Sequence, residues 1–248
     1  MSLMRQRRTP FFALLTAVAL SLSGCTSTAA AGQTRLRSSS GATRVTATPA
    51  TAAAVYQQMR KSVTAGKSVH IKSVYADKGQ KTRLDVAGDR AGMTMRLQVN
   101  FGTGLIEVIK VNDAFYLKAD AGYWTRLTGS AATARSAADK YVKVPPGSAA
   151  GMGDFRVGAL LDQVFAEDIS TSDELNTKVQ TTEVDGVPAY LLTTKVGGDA
   201  KLYVSVDGQA RLLRAESAKG GTLDFTEWDS VASTSTPPAG QMAETPSL

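Results

Sequence analysis

The chain has 248 residues, one cysteine, one histidine, and 28 basic against 22 acidic residues. Six arginines (Arg5, Arg7, Arg8, Arg35, Arg37 and Arg44) lie in a first segment without Asp or Glu, so from Val45 onward 22 basic residues balance 22 acidic ones. That neutrality excludes the basic footprint of a nucleic-acid binder, the lone Cys25 excludes an intramolecular disulfide, and the lone His70 excludes a multi-histidine metal site.

At the start, Arg5, Arg7 and Arg8 precede an apolar run from Phe11 to Leu22, and Leu22-Ser23-Gly24-Cys25 follows with the pattern of a lipobox. The run is about 12 residues long, short of the ~20 that span hydrocarbon as a helix. Residues 1–24 therefore read as a lipoprotein signal peptide and Cys25 as the lipid-attachment residue. This places the mature chain on the extracytoplasmic face of a bacterial cell membrane, where a diacylglyceryl group supplies the two chains that stable anchoring needs. Arg7-Arg8 ahead of Phe11-Phe12 has an irregular twin-arginine spacing, and general secretion is the default route. Residues 25–50 are rich in Ala, Ser, Thr and Gly and read as a flexible tether. Residues 51–231 are long enough for one domain with its own core, and 232–248, rich in Pro, Ser, Thr and Ala, read as a disordered tail.

Within the domain, Val55, Met59 and Val63 recur at helical spacing before Gly66, which predicts a helix over 52–65. Strand signals then follow one another closely. Val69, Ile71, Ser73 and Tyr75 alternate with polar neighbours, and a turn at 77–80 leads into 82–87. The clearest alternation puts Met93, Met95, Leu97, Val99 and Phe101 on one face and Thr94, Arg96, Gln98 and Asn100 on the other. Strands over 105–111 and 115–118 flank the Asn112-Asp113 turn, and Tyr123-Trp124-Thr125-Arg126 reads as a further short strand. Between 130 and 168 the pattern turns helical. An Ala-rich segment over 131–140 and a brief extended piece at 141–144 precede a Gly-rich loop at 147–153. Asp154 is then a candidate N-cap for a helix with an apolar stripe of Val157, Leu160, Leu161, Val164 and Phe165. Strands resume over 175–184, 187–196, 201–206, 211–216 and 223–228, with Asp185-Gly186 and Asp207-Gly208 as hairpin turns. About eleven strands with short connections make an antiparallel sheet, and helices laid on one face give an α+β fold.

Catalytic patterns are sparse: no nucleophile elbow, zinc-protease or phosphate-loop motif is present. His70 has no accompanying nucleophile and reads as structural, so the expectation is no enzyme and no cofactor. The Met93–Phe101 face has two readings. One is ordinary core beneath a helix; the other is the lining of an apolar cavity, a role that suits adaptable methionine.

The lipobox, the run Ala65-Gly66-Lys67-Ser68-Val69-His70, Phe115-Tyr116-Leu117-Lys118 ahead of Tyr123-Trp124, and Lys140-Tyr141-Val142-Lys143-Val144-Pro145 carry a resemblance. So do Leu160-Leu161, Val184-Asp185-Gly186-Val187-Pro188-Ala189-Tyr190, Leu202-Tyr203-Val204-Ser205-Val206-Asp207 and Leu212-Leu213-Arg214. Together they resemble the LppX/LprAFG family of actinobacterial lipoproteins, whose fold is similar to that of the lipoprotein carrier LolA and its receptor LolB. The resemblance implies a strongly curved half-barrel sheet with helices covering its concave face, which holds an acylated lipid or glycolipid and serves envelope lipid transport. It maps the cavity onto Val69, Ile71, Met93, Met95, Leu97, Val99, Ile106 and Val108, and the lid onto Leu160, Leu161, Val164 and Phe165. The rival expectation is the same half-barrel with a closed core and no lipid ligand, acting as an interaction or sensor module of the envelope.

Overall fold

A computed structural model describes residues 51–77, 80–102, 104–145, 156–164, 175, 179–194, 200–217 and 220–243. The signal peptide, the tether, Cys25, the 147–153 loop, Asp154 and Phe165 lie outside the described residues. The chain forms α1 (Ala52–Ala65), β1 (Ser68–Asp77), β2 (Gln80–Asp89), β3 (Thr94–Asn100), β4 (Leu105–Val111), β5 (Ala114–Ala119), α2 (Ala121–Thr128), α3 (Ala131–Ala137) and β6 (Tyr141–Lys143). After these come α4 (Val157–Val164), β7 (Gln180–Val184), β8 (Val187–Thr194), β9 (Ala200–Ser205), β10 (Leu212–Ser217), β11 (Gly221–Thr226) and a 3-10 turn at Ala239–Gln241.

All eleven strands join one open, curved antiparallel sheet in the order β6-β5-β4-β3-β2-β1-β11-β10-β9-β8-β7. Every adjacent pair but one is also adjacent in sequence. The exception is β1 with β11, where His70 pairs with Thr226 and Ile71 with Phe225, joining two meanders at the sheet centre. Hairpin chemistry sets the local registers. Asp185 and Gly186 both have positive φ (51° and 81°), the geometry of the tight turn that matches strand twist between β7 and β8.

One face of the sheet is apolar and lies under the helices. Thr51 caps α1 by accepting a hydrogen bond from Ala54 N, and the helix buries Val55, Tyr56, Met59 and Val63 against that face. Each such side chain contributes about 1.5–3 kcal/mol by leaving water.

Two sequence expectations are corrected here. Tyr123–Arg126 belongs to helix α2, because Asp120 caps it at Tyr123 N (2.7 Å) and Gly129 closes it in the left-handed region. Trp124 is thereby sealed against Ala134, Ala137 and Val142, with no partner for its Nε1 among the described residues. The segment read as a disordered tail has a defined course as far as Ala243. Trp228 stacks on Phe225 and donates to Leu212 O, and Asp229 accepts from Lys67 N at 2.6 Å while pairing with Arg211. The chain then crosses the polar face as a strap and ends in a parallel bridge between Met242 and Tyr141 of edge strand β6, with Ala243 N donating to Tyr141 O.

Two outcomes follow for stability. Met59→Ala, at a fully buried position, is expected to cost about 2–5 kcal/mol in urea denaturation. The Lys67 amide, helped by the Arg211 guanidinium, holds the Asp229 carboxyl below its ordinary value against the opposing effect of burial. Its contribution is therefore complete above the ordinary carboxylate pKa of about 3.9 and is lost as pH falls through the lower folded value. Asp229→Asn should lower the urea midpoint at neutral pH, and the gap from wild type should close in acid.

Candidate functional site: the hollow under the helices

Strand register assembles the apolar face as three cross-strand rows. Val69, Gly88, Met95, Lys110 and Phe115 form the first; Ile71, Val86, Leu97, Val108 and Leu117 the second; Ser73, Leu84, Val99, Ile106 and Ala119 the third. Pleating turns every residue of these rows to the same side. Val69, Ile71, Met95, Leu97, Val99 and Val108 are buried in one cluster, with Ile106 half-buried beside them. Leu161 of α4 is buried in that cluster and Leu160 is half-buried against it. Met93 is the exception among the expected lining residues. It is 54% exposed, because β3 begins only at Thr94 and Met93 sits in the preceding turn, its amide donating to Asp89 Oδ1. Val164 ends α4, and only its backbone is described.

The hollow is occupied by more of the chain than the lid residues expected from sequence. Val55, Tyr56 and Met59 of α1 reach into the same cluster, as do Leu192, Leu202, Val204 and Phe225 from the second meander. The spacing in α1 marks an amphipathic helix, but nothing in that spacing says which sheet face it covers.

Helix α4 is seated on the β2–β3 turn. A methyl group at Gly158 would lie 2.5 Å from Arg90 O, so only glycine allows this approach. Arg90 donates to Val63 O at the end of α1 (3.0 Å) and pairs with Asp162 of α4, tying both helices to the turn. The turn is braced by Asp89, which accepts from Met93 N, Thr94 N and Thr94 Oγ1. Burial would raise the Asp89 pKa, but those donors outweigh it and hold it low.

Lys110 falls in the first apolar row. It is 7% exposed, and its Nζ lies 5.2 Å from the centre of the Phe115 ring. Sequence alone does not single it out, because a lysine near a strand end looks like an ordinary solvated terminus.

The opposite, polar face holds a cavity of about 630 Å³ beneath the strap. Its floor carries His70, with Nε2 2.7 Å from Asp85 Oδ1 and Nδ1 3.0 Å from Glu227 Oε1, beside Glu107 paired with Arg96 and Gln98. Its charged and hydroxyl lining is unsuited to an acyl chain.

No protein-family model matches the chain, and no curated protein matches it. Among solved structures it is similar to an uncharacterized conserved protein from Thermus thermophilus, at 10% identity and a TM-score of 0.34 over 76% of this chain and 94% of that one. The chain's own strand pairing defines its class, an open, curved antiparallel sheet in an α+β fold. No described helix is long and apolar enough to cross a membrane.

The seat of α4 is testable. Gly158→Ala should displace the helix at a cost of about 1–3 kcal/mol, the range for overpacking a tight contact. Amide hydrogen exchange over 157–164 should accelerate, while exchange in β8 and β9 stays unchanged.

Proposed function

We propose that the protein is a membrane-anchored extracytoplasmic lipoprotein that binds an acylated lipid or glycolipid between the curved sheet and its covering helices and serves envelope lipid transport. The observation that carries this reading is the apolar surface shared by Val69, Ile71, Met95, Leu97, Val99 and Val108, covered at α4 by a two-turn helix seated on a single turn. Burial of acyl chains against such a surface supplies affinity without directional contacts. Displacing α4 would uncover the lining without breaking a strand pairing. Cys25 would hold the domain at the membrane that supplies its ligand. No step in this reading requires catalysis or a cofactor.

A second reading is favoured by one feature, the filling of the hollow by Val55, Tyr56 and Met59. A closed core of this kind suits an interaction or sensor module that works through its outer surface.

Native mass spectrometry of the full-length protein from a lipid-containing host separates the two. Lipid binding predicts co-purified lipid mass on the wild type and its depletion in Leu97→Trp, which fills the lining at its centre. A lipid-free spectrum for both proteins would overturn the lipid reading in favour of the closed module.

A further inference from the structure

We propose that the cavity beneath the strap is a second ligand site, shaped for a small hydroxylated amine such as an amino sugar. It lies on the sheet face opposite the hollow, and the inference stands without the lipid reading.

The strap spans a space that it does not fill. One end is held by Asp229, on Lys67 N and Arg211, and the other by the bridge from Met242 to Tyr141. Between these anchors, residues 230–241 carry no ionisable or aromatic side chain, and only Pro237 of them is buried. A segment that merely sealed the sheet would press apolar side chains onto it. This one leaves about 630 Å³, within the ~300–1,000 Å³ of small-molecule sites. Because both ends are fixed, the space is formed before a ligand arrives, which lowers the ordering cost of binding.

Two cross-strand rows make the floor. One runs Lys72, Asp85, Gln98, Glu107, Lys118 and Tyr141, and the other Thr226, His70, Ala87, Arg96 and Ile109. Lys72 and Lys118 share this face but do not line the cavity. Among the ionisable groups that do, Glu107 and Arg96 offset each other. Asp85 and Glu227 remain, one on each ring nitrogen of His70. Two carboxylates on one imidazole leave the trio net negative whether the ring carries one hydrogen or two. Both carboxylates are part-exposed, and each can accept further hydrogen bonds at its two oxygens. An ammonium brings three donors and the opposite charge.

The roof makes a different demand. Ser233, Thr234, Ser235 and Thr236 line it in succession, and a hydroxyl both donates and accepts. Hydroxyls on the ligand meet that pattern, while the negative floor repels an anion. Charge below and hydroxyls above thus select one molecule that carries both.

The chain has one histidine, so the imidazole signal in a long-range nitrogen–proton spectrum belongs to His70 and reports on the floor. The full-length protein in detergent is titrated at one fixed, mildly acidic pH with glucosamine, with glucose, which lacks the charge, and with cyclohexylamine, which lacks the hydroxyls. Glucosamine is expected to move the His70 signal saturably, with a Kd about tenfold below that of either other probe, the value of one charge-assisted bond. Glu227→Gln and Asp85→Asn should each remove this preference over glucose. Both positions are part-exposed, and an unchanged urea midpoint checks that the fold is kept. Glu216→Gln, on β10 and outside the cavity, should leave binding as it is. Glucose or cyclohexylamine binding as tightly as glucosamine, a preference that survives both carboxylate variants, or no saturable shift with any probe would each overturn the site. None of these outcomes bears on lipid uptake by the opposite face.

Discussion

The pairing of β1 with β11 is the constraint on which the remaining architecture depends. Every other strand pair can form between neighbours in the chain, through hairpins or the helical excursion between β5 and β6. The central pair instead joins residues near 70 to residues near 225. Its loop-closure entropy must be met before it returns any contact energy. Without it the chain would be two separate meanders, and the buried residues of the two halves would not join in one cluster. With it the faces become one curved surface, and α1, which precedes β1, lies over both halves.

The two faces of that surface do different physical work. The inner one is held by dispersion and the hydrophobic effect, contributed by residues such as Val86, Met95, Leu192 and Phe225 that are buried almost completely. The outer one is held by cross-strand polar contacts, including Gln98 with Glu107, Arg214 with Asp224 and Lys201 with Glu216. Such exposed pairs contribute little individually, but they give the outer face a pattern of charge that discourages sheet-on-sheet aggregation. Glu107 is the exception, a carboxylate 6% exposed whose Arg96 and Gln98 partners offset its lost hydration.

The strands and their alternation were legible in the sequence because period-two patterning reports directly on burial of one face. The run from Thr94 to Asn100 is the clearest instance, and its register partners carry the same pattern. What was not legible depended on distant partners. Tyr123–Arg126 has β-favouring residues, and its helix is decided by the Asp120 cap and by the pocket that Ala134 and Ala137 make for Trp124. Met93 obeys the alternation but falls one residue before the strand starts. Lys110 obeys the parity of Ile106 and Val108, and only the positions of Met95 and Phe115 reveal that parity to mean burial. The composition of 232–243 signals disorder because its few anchors, Pro237 among the buried ones, act singly rather than as a repeating pattern.

The strap has a mechanical consequence. It leaves the sheet centre beside β1 and is fixed again at β6, running outside the curve. A cord on the outer side of an arc tightens when the arc curls further and slackens when it flattens. It therefore acts opposite to a bowstring, limiting how narrow the half-barrel can become while leaving it free to widen. The strap thus bears on the width of the half-barrel from the side opposite the helices.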